Sequence, residues 1–530
     1  VLGGDKMFRK KNKKIRDKIN DKDVGLAKDY FTMLINSCGY ENHCHDDYVN
    51  TGDIKYLEQW KKARIIRSDL MDICFKLFNV EPKDESWCFV PNTKIITKGG
   101  LKDIENIEVG EFVLTHKNRF KRVLDKMGRS INDEIIRIKT NYTNIPLEVT
   151  KNHLFYVADN LRVPQQKNWK KNWKKPNFVW KKAEELNRND FLYLPKYNFV
   201  KDVDIFSTTF KNNRGFKDVL NLKINENVMR LIGLYLSEGH HTQYKNKKRY
   251  NMEYIGFSFG IHEKELADFV KQTFFEEFNY VTKPLYRKST IEFNIGKRTI
   301  CKFFKQFGHG ASTKEIPSWI INLPLEKLKF LVRGMIEGDG SISKYSINYS
   351  SVSKELVYNF RLILNKLGIL SSIKNKGKNK DSIIDGRVIK SNFDTYVSSI
   401  SGDSARQLGE LLDVKYEGGK KTSGNFGYVG EDYFLIPILG VDKINYLGDV
   451  YNLKVDEDES YCTFNGVAHN CKLKHISIVA MGCQENAVRL IEDGLIDEIK
   501  KLAEKEIDCY MIFLNLLEIN EKNAKVISSA

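Results

Sequence analysis

Between about residues 215 and 430 the chain repeats itself, and this limits its architecture more than any other feature. LIGLYLSEG (231–239) returns as VRGMIEGDG (332–340), HEKELADFVKQTF (262–274) as VSKELVYNFRLIL (352–364), and GKRTICKFFKQF (296–307) as GDSARQLGELLD (402–413). One such pair arises easily by chance. Three pairs in the same order, each roughly 100 residues apart, call for two related α/β halves about a pseudo-twofold axis, at about 225–310 and 325–415. Each half opens with a predicted helix that ends in an acid followed by glycine, Glu238-Gly239 and Asp339-Gly340. Gly233 and Gly334 lie on those helices and let two backbones approach closely. Side-by-side packing would deliver both acids to the same end. Two carboxylates there make a hard-oxygen site for Mg2+, suited to phosphodiester hydrolysis. The strands after each helix would then form a saddle over DNA. The basic runs QYKNKKRY (243–250) and KNKGKNK (374–380) would contact its phosphates.

The charge agrees with such a partner. The 530 residues carry 86 Lys and Arg against 69 Asp and Glu, a formal +17, which points to nucleic acid before membrane. AT-rich codon usage, which inflates Lys, Asn and Ile, accounts for the same excess without any partner. The Lys-interleaved tryptophans of KNWKKNWKK (167–175) suit either DNA contact or a solvated face. The nine cysteines are scattered singly, which indicates neither a disulfide framework nor a zinc ribbon and fits a reducing, cytoplasmic setting. HCHDD (43–47) with Cys38 has no trusted zinc spacing and reads as a polar loop. No apolar run reaches the ~18 residues of a membrane span. The flanks 1–87 and 471–530 read as α-helical; in the second, Val488, Leu490, Ile491, Leu495, Ile499 and Leu502 form one apolar stripe.

A different texture brackets the repeat. From Cys88 to about 200, TKIIT, EFVLTH, EIIRIKT and LFYVA read as short strands, and the pattern resumes over 433–470 with FLIPILGVDKI, DVYNLKV and SYCTFNG. This is an all-β unit interrupted at a surface loop by 215–430. The insert, with a core of its own, should be replaceable by a short linker.

The ends of the β unit carry a second chemistry. Cys88 opens it, His469 and Asn470 close it, and Cys471 follows directly. A cysteine at the first position can attack the upstream peptide carbonyl to form a thioester, and a cysteine just downstream can accept the upstream chain. The Asn470 side-chain amide can attack its own carbonyl and leave as a succinimide, with His469 as general acid or base. Thr150 and His153, spaced T-x-x-H in EVTKNH, are placed to polarise the upstream peptide and protonate the departing nitrogen of residue 88.

Residues 88–200 and 433–470 resemble an intein, the Hint-fold protein-splicing family. The resemblance rests on CFVPNTKI, EVTKNH, WKKAEELNRNDFLYLP and VYNLKV…NGVAHN-C. It implies a multidomain chain: an all-β Hint-like splicing domain between α-helical host flanks. Inteins often carry His about eleven residues before the terminal Asn; in this chain Glu459 stands there and is the candidate for that role. Residues 215–430 resemble the LAGLIDADG homing endonucleases often nested in inteins. That implies a monomer with internal pseudo-symmetry that cuts both strands of a long DNA site in the uninterrupted host gene. Glu238 and Asp339 would bind Mg2+, with Lys314 in STKEIP as a transition-state cation and Lys421 as a weaker counterpart. Two alternatives stand beside this reading: a splicing element whose nuclease half is an inactive DNA-binding remnant, and a domain that cleaves without ligating. The presence of Cys471 argues against the second, since a pure cleavage domain has no need of a downstream nucleophile.

Overall fold

The computed structural model describes residues 88–159, 176–211, 217–245, 251–378, 382–384, 387–389, 392–414, 416, 418 and 427–470, with Lys55 and Gln59 besides. Apart from those two positions, the flanks 1–87 and 471–530 lie outside the described residues, as do Cys471, Lys421, the 167–175 run, the HCHDD loop and much of 243–250. The chain divides into two units, Ser86–Cys471 and the pair of flanks Val1–Glu85 with Lys472–Ala530. The first unit holds the strands and the repeated helices.

From Cys88 to Pro195, and again from Tyr433 to His469, the regular elements are strands and short 3-10 turns. Two long strands dominate, Phe120–Thr140 and Tyr433–Val455, which run antiparallel from Ile438 opposite Thr140 to Val455 opposite Val123. The start of the second strand pairs with Phe191–Pro195. Ladders through Leu154–Ala158, Gly466–His469, Ser460–Thr463, Lys94–Thr97 and Phe112–Leu114 lead back to Phe120–Thr140, so the strands close into a ring. Continuous apolar runs explain the arrangement. Val113, Val157, Leu192, Leu194, Phe434, Ile436 and Val467 are buried, and so are the intervening Tyr193, Leu435 and Ala468, as in strands covered on both faces.

All three repeated pairs are helical. The two acid-terminated helices are Glu226–Glu238 and Leu325–Asp339; the second pair is Lys264–Phe278 and Lys354–Lys366; the third is Arg298–Phe304 and Gly402–Leu412. Asn225 caps the first helix by accepting from the Val228 amide, and Pro324 opens the matching one. The strands repeat as well. Gly239–Lys245, Asn251–Gly260, Thr290–Ile295 and Leu285–Tyr286 lie side by side in that order. Gly340–Ile342, Ser346–Ser351, Asp394–Ser401 and Ser371–Lys378 lie in the same order, so both halves share one topology.

The expectation of a separate core for 215–430 is corrected. A single apolar cluster runs from Phe89 and Val113 through Leu231, Phe257, Met335 and Phe360 to Phe464 and Ala468. The sheet is continuous as well: Ile373 of the second half pairs with Thr143 of the β unit. Lys354–Lys366 is wedged between the two. Its Lys366 ammonium donates to three carbonyls, of Phe199 (2.7 Å), Leu323 (2.8 Å) and Ile321 (3.1 Å). Its Arg361 guanidinium donates to Asn465 Oδ1 at 3.1 Å and lies over the Phe464 ring. The Lys366 ammonium and Arg361 guanidinium are both pulled down, to about 8 and about 10, by burial.

Candidate functional site

The two ends of the segment, at Cys88 and His469, converge on the Thr150–His153 turn although the chain between them is long. Phe89 is bridged to Val149 on one side and Tyr451 on the other, which holds the start of the segment inside the ring. The Cys88 amide donates to Thr150 Oγ1 at 2.9 Å, and the Thr150 amide donates back to the Cys88 carbonyl at 2.9 Å. His153 follows one turn later, fully buried, with its ring 4.5 Å from that of Phe89. Its Nε2 lies 3.2 Å from the His469 carbonyl oxygen. Burial pushes its pKa down to about 3, partly opposed by hydrogen bonding to the backbone of His469 and of Cys88. One buried imidazole therefore stands between the Thr150–Cys88 pair and the His469 carbonyl.

At the other end, strands Ser460–Thr463 and Gly466–His469 form a tight antiparallel pair that presents Asn470. Asn470 is 4% exposed; its amide donates to the Glu459 carbonyl at 2.8 Å and its Nδ2 to the Val455 carbonyl at 3.4 Å. Its Oδ1 is buried with no hydrogen-bond partner among the described residues. His469 Nδ1 lies 2.8 Å from the Asn470 carbonyl oxygen. Trp180 packs edge-on against the His469 ring at 4.9 Å. Glu459 is 3.8 Å from His469 Nε2 with a largely exposed carboxylate, in a residue held at φ 47°. A carboxylate so exposed is a weak electrostatic partner.

The second centre lies where the acidic helices end. A Cβ on Gly233 would sit 2.3 Å from the Leu331 carbonyl oxygen, and one on Gly334 would sit 2.1 Å from that of Arg230. The two backbones are therefore in contact, as the paired glycines predict. Ser237 Oγ donates to the Met335 carbonyl at 3.0 Å, and Gly338 abuts Ser237, so the contact persists to the helix ends. Glu238 and Asp339 are the terminal residues of the two helices. Burial, the Asp339 charge and then Glu263 push the Glu238 carboxyl up to about 7, against the opposing pull of Lys314. Asp339 is also raised, by burial. Two neighbouring carboxyls that resist ionising together are what a cation relieves.

Lys314 is buried, and its Nζ donates to the Ser237 carbonyl at 2.6 Å. Burial pulls its pKa down to about 8, while Asp339 and Glu238 hold it up. The expected acid–acid–lysine set is thus gathered in one place. Among the described residues no group of three or more His, Cys, Asp and Glu is arranged to hold a metal. None of the described helices is long and apolar enough to cross a membrane.

Sequence reasoning missed the residues around these centres. Thr115, Lys117 and Arg119 gather on the buried Asp458 carboxylate, fixing the turn before Glu459. His241, Glu253 and His309 form a linked row beside the first acidic helix. Neither set has a linear signature, because each depends on strand register.

Residues 326–412 match the family described as the LAGLIDADG-like domain. Curated relatives match more of the chain. The ATP-dependent DNA helicase Hel308 of Thermococcus kodakarensis is 29% identical over 72% of this chain and 36% of its own length. An uncharacterised protein of Methanocaldococcus jannaschii is 28% identical over 72% of this chain and 50% of its own. An iron-sulfur cluster assembly SufBD family protein of Mycobacterium tuberculosis is 24% identical over 72% of this chain and 42% of its own. The chain spans a third to a half of the length of these relatives. Among solved structures, variants of the homing endonuclease I-DmoI are 15% identical, with a TM-score of 0.28 over 36% of this chain and 98% of theirs. The endonuclease I-WcaI bound to its DNA recognition sequence gives 15% and 0.24 over 36% of this chain and 80% of its own.

Proposed function

We propose that residues 88–470 are an intein: a Hint-like splicing unit that excises itself and joins its flanks, with a DNA-cleaving homing endonuclease nested within it. The observation that carries the splicing half is the buried His153 imidazole, one turn from the Thr150 that holds the Cys88 amide, with its Nε2 3.2 Å from the His469 carbonyl oxygen. The Cys88 thiolate attacks the Trp87 carbonyl, and the Cys88 nitrogen leaves as an amine, taking its proton through His153. Thr150 Oγ1, already on that nitrogen, holds the peptide in register. The Cys471 thiolate then displaces Cys88 from the thioester. Asn470 Nδ2 attacks its own carbonyl carbon while His469 Nδ1 supports the developing oxyanion; the succinimide forms and the Asn470–Cys471 bond breaks. Acyl transfer from sulfur to the freed Cys471 amine completes the peptide bond between the flanks.

The relatives support a mobile segment. A helicase and a SufBD family protein bear unrelated names, yet each matches the same share of this chain, a share that Cys88 to Asn470 would fill by itself. For the nuclease, Glu238 and Asp339 would hold Mg2+, which supplies charge neutralisation at the phosphate and an activated water. Lys314 contributes a cation beside both acids. Two active-site halves on one chain make a monomer sufficient. The DNA target follows from the joined host gene around the codons for Trp87 and Cys471, which the insertion itself destroys. The setting is the cytoplasm.

Expression of the whole chain tests the splicing half. Wild type yields a free 88–470 segment and a joined product of the flanks. Cys88→Ala abolishes upstream cleavage and joining. Asn470→Ala retains a thioester that added thiol cleaves but does not release the downstream flank. Normal joining by both variants would sink the assignment.

A further inference from the structure

Beside the first acidic helix lies a chain of side chains that neither splicing nor metal binding uses. Strand Gly239–Lys245 leaves Glu238 and runs antiparallel to Asn251–Gly260, with Gln243 opposite Glu253 and His241 opposite Ile255. The His241 side chain is fully buried, and its Nε2 donates to Glu253 Oε1 at 2.8 Å. Its Nδ1 lies 2.6 Å from Nδ1 of His309. The Gln243 amide also donates to Glu253 Oε1, at 3.1 Å. With the His241 proton committed to Glu253, Nδ1 of His241 is the acceptor and His309 is the donor. The tautomers of both rings follow from the carboxylate.

His309 belongs to the loop that carries Lys314. Thr313 Oγ1 accepts from the amides of His309 and Gly310, folding the loop on itself, and the Glu315 amide returns to the Phe307 carbonyl. The His241 amide also reaches the His309 carbonyl at 3.4 Å. At the far end of this loop, Lys314 Nζ is tied to the Ser237 carbonyl, one residue before Glu238. A buried ammonium on a loop must be held against its preference for water. The Thr313 and Glu315 bonds are local and would survive its departure; Ser353 Oγ holds the Lys314 carbonyl from the second-half side at 2.5 Å, whereas the His309–His241–Glu253 chain joins the loop by its side chains to the first-half sheet.

We infer that Glu253, His241 and His309 are positioning residues for Lys314: they fasten the 308–314 loop to the first-half sheet and so hold the lysine beside Glu238 and Asp339. This rests on the nuclease reading, and two measurements separate its failure from the failure of that reading. The first uses the full chain and a DNA duplex made by joining the coding sequences of residues 1–87 and 471–530, with Mg2+. His309→Ala and Glu253→Gln lower kcat by about tenfold or more with the Kd for DNA within about twofold, and His309→Asn, whose amide can donate near the Nδ1 position, recovers much of the loss. The second needs no cleavage. Lys314 is protected from an amine-acylating reagent in wild type, as mapped by mass spectrometry, and becomes labelled at least several-fold faster in His309→Ala but not in His309→Asn. If wild type does not cut this duplex, the nuclease reading fails and the labelling decides the loop's role alone. Unchanged Lys314 labelling in His309→Ala, or kcat equal to wild type, overturns the inference.

Discussion

At the scale of the residue, the two centres depart from ordinary ionisation in opposite directions, and each departure is measurable. His153 is buried neutral, its pKa lowered from 6.5 to about 3. The unfolded chain therefore binds a proton in this range that the folded chain refuses. The contribution to stability is complete above the unfolded value and is lost as pH falls below it, at about 1.4 kcal/mol per pH unit until the folded value is reached. Denaturation of the splicing-blocked double variant Cys88→Ala, Asn470→Ala between pH 8 and pH 4 should show this acid loss. His153→Gln should flatten it; an unchanged acid limb would mean that His153 does not stay neutral. Glu238 behaves conversely: its raised pKa, about 7, marks a destabilisation that is absent below the ordinary carboxylate range and complete above pH 7. Glu238→Gln should therefore raise the melting temperature of the metal-free protein at pH 8, leave it unchanged at pH 4, and erase stabilisation by Mg2+. The same substitution should suppress DNA cleavage far more than binding, since affinity rests on cationic phosphate contacts. A lower melting temperature at pH 8 would show that the two acids do not repel in the folded protein.

Among the elements, the paired acidic helices and the wedge helix do the positioning. A methyl group at Gly334 would meet the Arg230 carbonyl oxygen at 2.1 Å, and that atom is backbone and cannot swing aside. The helices must then separate. Overpacking of this kind costs about 1–3 kcal/mol or more, and the separation also moves Glu238 from Asp339. Gly334→Ala should thus lower the melting temperature and abolish cleavage, as read by calorimetry and by nicking of plasmid DNA. An Ala variant with wild-type stability would show a looser helix contact. Much at this scale is legible in the sequence. The repeated strings form matched helices because their apolar spacing suits a helix face, and the glycines announce the contact because no other residue fits it. What the turn at Glu459 mainly supplies is backbone: the Glu459 carbonyl holds the Asn470 amide.

For the whole molecule, the shared core changes what deletion should do. Removing 215–430 takes away Tyr358, Arg361 and Lys366, and with them the cover over Phe464 and Tyr197 and the donor to Asn465, five residues before Asn470. A short linker in their place should give a β unit with reduced solubility and a lowered melting temperature, and slower release of the downstream flank. Full stability and full joining in that deletion would restore the picture of two independent cores. The sequence by itself determined what rests on local periodicity and on rare residue types at chain-defined places: the strand and helix textures, the internal repeat, and Cys88, Asn470, Glu238 and Asp339. Tertiary structure alone decided the rest. The convergence of Cys88 and His469 on the Thr150–His153 turn, the row from Glu253 to His309, and the seating of Arg361 on Phe464 all depend on register and on which faces pack. A one-residue slip would reverse every strand face, and burial, which sets the His153, Glu238 and Lys314 pKa values, exists only once the elements have closed on one another.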